Sequence, residues 1–156
     1  AVEKNIEAFL DLPLAGSKLV IGDGPDLERL RARYPGCHFT GPKFGRELAR
    51  HLAGGDVFVF PSRTDTFGLV LLEAMACGCL LIGSNTPPVT EFIEDGKNGL
   101  LVDFFDIKGL ADRACEALSK PKKFLDQREN ARRLIVESYD LQTKCVPNLL
   151  RLISGK

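Results

Sequence analysis

The sequence predicts one α/β domain in which helices cover both faces of a parallel sheet. Short apolar runs alternate with longer segments of helical periodicity, the order that builds parallel strands joined by right-handed crossovers. The runs Asp56–Phe60 and Leu80–Ser84 are almost continuously apolar, as strands covered on both faces are. A chain of 156 residues suits a single domain with a proper core, and no repeat or linker divides residues 1–156.

Each predicted element follows from its local pattern. Apolar runs bounded by Gly, Pro or Asp predict strands at Lys18–Gly22, His38–Gly41, Asp56–Phe60, Leu80–Ser84 and Gly99–Val102. Apolar residues at helical spacing predict helices at Lys4–Leu10, Asp26–Tyr34, Gly45–Leu52, Phe67–Cys77, Val89–Ile93, Ile107–Leu118, Lys123–Ser138 and Leu141–Ile153. The segment Glu94–Gly99 is rich in Gly and Asn, which tolerate positive φ, and is predicted to be a turn.

The composition is that of an ordinary globular protein. Hydrophobic residues make up 44% and charged residues 27%, with 21 basic and 21 acidic side chains. This balance gives no indication of a nucleic-acid or anionic-membrane partner. No apolar run approaches the roughly 20 residues that span a bilayer, and no segment of residues 1–156 has the pattern of a targeting signal. We expect the protein to be cytoplasmic. If the chain is part of a longer protein, we expect that complete protein to lie at the inner face of the membrane.

The cysteines are odd in number and lack the spacing of a zinc site. We expect all five to be small, reduced core residues: Cys37, Cys77, Cys79, Cys115 and Cys145.

In open α/β sheets, ligands bind beyond the carboxyl ends of the strands, where helix N-termini present amides to anions. The first such junction is Ile21–Pro25, where two glycines allow close approach and Pro25 suits a first helical turn. No third glycine follows at the spacing of a dinucleotide fingerprint. This segment is either a ligand loop or only a tight turn that starts a helix.

The second junction, Pro61–Leu69, leads into a helix that is apolar apart from Glu73. Burying an unpaired carboxylate there would be costly, so we expect Glu73 to reach a cleft or to have a dedicated partner. Asp65 lies eight residues earlier and could flank the same pocket, with the amides near Gly68 between them. The alternative is that Asp65 or Thr66 caps the helix and that Glu73 is satisfied internally.

The third junction, Gly83–Glu91, is a polar loop that opens a short helix. It could line the same pocket, and a purely structural loop is the alternative.

Taken in order, these segments resemble the retaining glycosyltransferases of family 4, which have the GT-B fold. The segment Asp65–Glu73 looks like the acidic-x7-acidic motif of that family. The motifs GDGP at Gly22–Pro25, FPS ending at Ser62 and DGKNGLLV at Asp95–Val102 fall in the family's usual order, after Glu3-Lys4-Asn5. The resemblance covers essentially the whole chain. It implies a Rossmann-like C-terminal half of a GT-B fold.

The resemblance also implies roles for the two acids. Glu73 matches the acid that binds the ribose hydroxyls of the nucleotide. Asp65 matches the acid that contacts the transferred sugar, and Thr66 and Phe67 lie beside it in the implied donor-sugar site. Asp stands at this position where most of the family has Glu. The donor implied is a UDP-, GDP- or ADP-sugar, and the acceptor a lipid, a saccharide or another molecule.

The diphosphate is the third part of the implied site. The amides of Gly68 and Leu69 match those that hold it, and Lys4 matches a charge-neutralising lysine. Such groups stabilise a departing diphosphate without proton transfer. Family members generally need no metal, and the sequence offers no ligand cluster, so we expect no metal or cofactor. Weaker candidates for the nucleotide pocket are Gly22, Asp23, Gly24, Thr40 and Lys43.

The start of the chain departs from the family. A member would have a strand ending in Gly-Arg just before Glu3, and an N-terminal acceptor domain before that. We therefore expect the first strand of the sheet and the acceptor domain to be absent from residues 1–156. His38 and His51 lie in a predicted strand and a predicted exposed helix, which makes neither a substitute for the catalytic His often supplied by that domain.

Two hypotheses follow. The first is a donor-binding domain that is inactive by itself. The second is a non-catalytic excised or engineered unit, or a subunit completed by another chain, whose exposed edges favour self-association or strand capture. GT-B sugar-nucleotide epimerases share the architecture, but their motif around the acid helix differs. The apolar stripe of Leu141–Ile153 is expected to pack on the sheet, with part of it bare.

Overall fold

The computed structural model describes residues 4–63 and 68–154, and helices alternate with parallel strands from α1 to β5. The strands are β1 (Leu19–Val20), β2 (His38–Phe39), β3 (Val57–Phe60), β4 (Leu80–Ser84) and β5 (Leu100–Val102). The α-helices are α1 (Ile6–Leu10), α2 (Leu27–Arg33), α3 (Gly45–Ala53), α4 (Leu69–Ala76), α5 (Pro87–Thr90), α6 (Ile107–Ser119), α7 (Leu125–Leu134) and α8 (Val146–Ser154). The predicted α/β class is confirmed.

The strands form two sheets within the described residues. In the first sheet β1 pairs with β2 in parallel, with Leu19 opposite His38. In the second the order is β3-β4-β5, with Val57 opposite Leu80 and Ile82 opposite Leu100. No ladder joins β1 to β3 in the part of the chain that the structure describes.

Helices cover both faces of the three-stranded sheet. All five residues of β4 are buried, and their side chains alternate between two apolar clusters. Leu81 belongs to the cluster built with α3, α4 and α7, whereas Leu80 and Ile82 belong to the cluster built with α6. The near-continuous apolar run of β4 therefore reflects burial on both sides, as predicted.

The C-terminal helices differ from the prediction. The expected Lys123–Ser138 helix is divided into a 3-10 turn at Pro121–Phe124, α7 and a π turn at Ile135–Tyr139. A second π turn, Leu141–Cys145, precedes α8. No residue from Leu141 to Ser154 is buried, and Ile153 is 74% exposed. The expectation that this apolar stripe packs on the sheet is wrong.

The predicted turn at Glu94–Gly99 is held by side chains rather than by glycine alone. Buried Asn98 donates to the Phe92 carbonyl and accepts from the Glu94 amide, each at 2.8 Å. Asp95 accepts from the Leu101 amide at 2.9 Å, and Gly96 has φ +75°. The DGKNGLLV motif thus has a structural role at the start of β5.

The cysteines are all free thiols. Cys79 is a core residue, and burial raises the pKa of its thiol to about 11. Cys115, however, lies exposed on α6, so the expectation that all five are core residues is wrong.

Candidate functional site

The loops after β1 and β2 meet at the carboxyl ends of these strands. The Gly22 amide donates to the Gly41 carbonyl at 3.0 Å, and Gly22 adopts φ +139°, which only glycine tolerates readily. Exposed Asp23 accepts from the Gly24 amide at 2.7 Å. Thr40 donates to the Gly41 carbonyl at 3.1 Å. The weaker nucleotide-pocket candidates of these two loops are therefore brought together.

Lys43 follows the same loop but has a partner on its own helix. Its Nζ lies 2.7 Å from Glu47 Oε1, one turn into α3. The hydrogen bond and the charge of Lys43 lower the pKa of Glu47. This exposed pair gives Lys43 a local role at the start of α3.

The structure describes the β3–α4 junction up to Arg63 and again from Gly68. The predicted donor-sugar residues Asp65, Thr66 and Phe67 lie outside the described residues. Gly68 has φ +60°, and a Cβ there would lie 3.2 Å from Leu71 Cδ1, so this position requires glycine. Leu69, 63% exposed, begins α4, and the Leu71 amide of its first turn donates to the Gly68 carbonyl at 2.8 Å.

Glu73 is exposed on a helix that is otherwise apolar. Leu69, Glu73 and Cys77 are spaced four residues apart and therefore share one stripe of α4. Cys77 Sγ lies 3.7 Å from the Ala49 carbonyl of α3, which turns this stripe toward α3. Glu73 itself is exposed, which leaves its carboxylate open to solvent.

Lys4 lies at the carboxyl end of β3. Its Nζ is 5.7 Å from the ring centroid of Phe60, the last residue of that strand. The cation is thereby held at the sheet edge from which the Pro61–Leu69 segment departs. This places Lys4 beside the junction to which the sequence assigned the diphosphate.

A buried hydroxyl cluster missed by the sequence analysis fixes the same junction. Ser84 at the end of β4 donates to the Ser62 carbonyl, and its Oγ lies 3.2 Å from Thr86 Oγ1. All three residues are buried. Hydroxyl residues at the end of β4 and two positions later are the sequence signal for this contact, which ties the loop after β3 to the loop after β4.

Other chemistry is limited in the described part of the chain. His38 lies in β2, and His51 on α3 contacts the Glu47 carbonyl through Nδ1 at 2.8 Å. Within residues 4–63 and 68–154, no three His, Cys, Asp or Glu side chains are placed to hold a metal ion together. Among the described helices, none has the length and apolarity needed to cross a membrane.

This architecture is that of the C-terminal domain of GT-B glycosyltransferases. It is similar to an Anabaena protein, HepE, solved in complex with UDP-glucose, with TM-score 0.85 and 21% identity over 100% of this chain and 46% of that one. The C-terminal domain of a group 1 glycosyl transferase from Francisella tularensis gives TM-score 0.75 and 24% identity, with 90% of this chain and 82% of that one covered.

The sequence comparison defines the family. The model of the family described as "Glycosyl transferases group 1" matches residues 6–120, and the chain belongs to this family. A GDP-mannose-dependent alpha-mannosyltransferase of Corynebacterium glutamicum is 36% identical over 74% of this chain. An N-acetyl-alpha-D-glucosaminyl L-malate synthase of Bacillus anthracis is 33% identical over 88% of it. The chain spans 29% and 38% of the lengths of these two relatives.

Proposed function

We propose that this chain is the donor-binding domain of a retaining glycosyltransferase of family 4. Its substrate would be a UDP-, GDP- or ADP-sugar, and its acceptor a lipid, a saccharide or another molecule supplied at a separate domain. The relatives support the donor class, since one is a GDP-mannose-dependent enzyme and a structural neighbour was solved with UDP-glucose.

The observation that carries the proposal is the placement of Glu73. A carboxylate in the middle of an apolar helix is exposed, one turn from the start of α4. An exposed carboxylate at this position can accept hydrogen bonds from a pair of neighbouring hydroxyls. The ribose of a nucleotide offers such a pair, and its phosphates would then extend toward the helix start.

The phosphates would meet complementary charge at that end. The first-turn amides of α4, beginning at Gly68 and Leu69, carry the positive end of the helix dipole. Lys4 at the end of β3 adds a formal cation. Together these groups would stabilise the diphosphate as it leaves the sugar, without a proton transfer. Asp65, Thr66 and Phe67 are proposed to contact the transferred sugar.

Calorimetric titration of this chain with UDP, GDP and ADP tests the proposal. We expect one of the three to bind best, because the phosphate and ribose contacts are common to all and only the base differs. The preferred diphosphate identifies the base of the donor. A cooperatively folded protein that binds none of them would overturn the proposal.

The open edges of the two sheets support the further proposal that residues 1–156 lack one strand. The Leu80 amide donates to the Asp56 carbonyl, so the backbone groups of Val57, next along β3, point away from β4. By the same alternation, Leu19 points away from β2, because Lys18 accepts from the His38 amide. A parallel strand between β1 and β3 would pair with both edges. Apolar Val57, Phe58 and Val59 are only half-buried, whereas β4 is fully buried.

We expect this chain to bind donor but not to transfer sugar, because an acceptor domain is proposed to lie outside it. Glycosyl transfer by the purified chain to a saccharide or lipid acceptor would contradict this expectation. The second candidate, a subunit that captures a strand from another chain, follows from the same open edges. Light scattering distinguishes the two, since strand capture between copies gives association that grows with concentration and the first candidate gives a monomer.

A further inference from the structure

The segment 86–92, which includes α5, contacts both ends of the loop that joins β3 to α4. At the β3 end, Thr86 Oγ1 lies 3.5 Å from the Ser62 carbonyl oxygen. At the α4 end, the ring of Phe92 packs against Gly68, since a Cβ added at Gly68 would lie 3.6 Å from Phe92 Cε2. One segment of the chain therefore bridges the start and the end of this loop.

The polar end of the bridge is a pair of buried hydroxyls. Ser84 and Thr86 are 4% and 9% exposed, and Ser62 is 1% exposed. Ser84 donates to the Ser62 carbonyl, and the Ser84 and Thr86 hydroxyl oxygens lie 3.2 Å apart. Because water is excluded, a carbonyl that lost these donors would be left without a hydrogen-bond partner at a cost. The two hydroxyls thus fix the position of the Ser62 carbonyl.

The bridge is rigid because it is anchored in the core. The Val89 amide donates to the Thr86 carbonyl at 2.9 Å, and the Phe92 amide donates to the Val89 carbonyl at 3.1 Å. Val89 is fully buried, and a Cβ added at Gly83 would lie 2.6 Å from Val89 Cγ1. Asn98 donates to the Phe92 carbonyl at 2.8 Å. Moving either end of the bridge would therefore require the core to repack.

The two ends of the loop carry different parts of the proposed diphosphate site. Lys4 lies over the ring of Phe60, two residues before Ser62. Gly68 and Leu69, whose amides are proposed to hold the diphosphate, begin α4 at the other end. Groups that bind one ligand together must be held within about 0.5 Å of their productive positions. The spacing between the cation and the amides therefore depends on what fixes both ends of the loop.

We infer that Ser84 and Thr86 are positioning residues for the diphosphate, an inference that rests on the proposed function. Both hydroxyls are buried and act through the loop rather than on the ligand. They fix the Ser62 carbonyl at the distance from Gly68 that lets Lys4 and the α4 amides act on the same diphosphate. Without them the start of the loop shifts, and the two phosphates no longer meet both groups.

Calorimetry with the preferred nucleoside diphosphate and its monophosphate tests this role. In Ser84→Ala the diphosphate should bind roughly 2- to 10-fold more weakly than in the parent chain, the effect expected for one lost neutral hydrogen bond. The monophosphate should bind nearly as in the parent, and inorganic pyrophosphate should weaken like the diphosphate. The ratio of the diphosphate and monophosphate affinities is the informative readout, because a smaller folded fraction weakens both ligands by the same factor.

Thr86 offers a second test with a matched pair of variants. Thr86→Val keeps the shape of the side chain and removes the hydroxyl, whereas Thr86→Ser keeps the hydroxyl and removes a methyl group. Thr86→Val should lower the affinity ratio as Ser84→Ala does, and Thr86→Ser should keep the parent's ratio. Ile82→Val is the control for lost packing in the same strand, since Ile82 is buried in the cluster built with α6. It should lower stability and leave the ratio unchanged.

The outcomes separate the two claims. A parent chain that binds none of UDP, GDP and ADP would overturn the proposed function and this inference together. A parent that binds, with Ser84→Ala and Thr86→Val chains that keep its affinity ratio, would overturn this inference alone. A Thr86→Ser chain with the same ratio as Thr86→Val would overturn it too, because the hydroxyl would then not matter. If Ser84→Ala does not fold, the two Thr86 variants decide the question.

Discussion

Replacing Gly83 by alanine is expected to lower the free energy of unfolding by about 3 kcal/mol, the upper part of the range for overpacked cores. Gly83 lies in the central strand β4, paired with Phe60 and Leu101 on either side. A Cβ at this position would lie 2.6 Å from Val89 Cγ1 and 3.2 Å from Ile93 Cδ1. Neither neighbour can yield easily, because Val89 is stiff at χ1 and both are buried. Urea unfolding followed by circular dichroism measures the loss.

Gly36→Ala is the matched control for this substitution. A Cβ added at Gly36 would have no neighbouring atom within 4 Å, and Gly36 is not one of the described glycines that adopt a positive φ. Its variant should lie within about 0.5 kcal/mol of the parent, because the added methyl contacts solvent. Equal unfolding midpoints for the Gly83 and Gly36 variants would show that the α5 segment relaxes freely and that the close contact carries no cost.

A double-mutant cycle assigns the cost to one contact. Val89→Ala alone should destabilise the protein by leaving a cavity. In the Gly83→Ala background the same change removes the methyl that clashes, so the double variant should be more stable than the two losses added together predict. Strict additivity would mean that the destabilisation arises elsewhere, for example from distortion of the β3 or β5 pairing.

The sequence predicts the fold class well where burial alone decides the pattern. The β4 run is apolar at nearly every position because both faces of the strand are covered. A short, continuous apolar run between two turns is typical of a buried parallel strand. The turn before β5 is predicted because glycine and asparagine mark it, although its hydrogen bonds from Asn98 are visible only in three dimensions. A turn of this kind can be predicted from the sequence because the local backbone conformation itself requires particular residue types.

Long-range partners explain what the sequence does not predict. The stripe of Leu141–Ile153 has the periodicity of a packed helix, but periodicity cannot say which surface covers it, and no surface among the described residues does. The split between β2-β1 and β3-β4-β5 does not follow from the strand patterns, which are locally regular; only the resemblance, which implies an absent strand, leads us to expect a gap. The link from Ser84 to Ser62 joins residues 22 positions apart, which spacing alone does not reveal.

The candidate site can be predicted from the sequence only in part, for the same reason. Glu73 stands out because one charge interrupts an apolar helix, and the structure leaves it exposed.

Glu73→Ala is expected to weaken binding of the preferred nucleoside diphosphate by roughly 10- to 100-fold. Hydrogen bonds to a charged carboxylate contribute about 1.5–3 kcal/mol, and a factor of ten in Kd corresponds to 1.4 kcal/mol. The exposed position and the high helix propensity of alanine should leave the fold intact. Glu129→Ala, which removes an exposed glutamate from α7, is the control for charge and should bind like the parent.

A deoxynucleotide shows whether the lost contact is to the ribose. The parent chain should bind the 2'-deoxy form of the preferred nucleoside diphosphate more weakly than the ribonucleotide, because one hydroxyl no longer donates to Glu73. The Glu73→Ala chain should bind the two forms almost equally, since the acceptor that distinguished them is gone. If the variant discriminates as the parent does, Glu73 acts through the electrostatics of α4 or its packing, and the ribose lies elsewhere. If discrimination disappears with the carboxylate, the face of α4 that carries Glu73 holds the nucleotide in the orientation proposed.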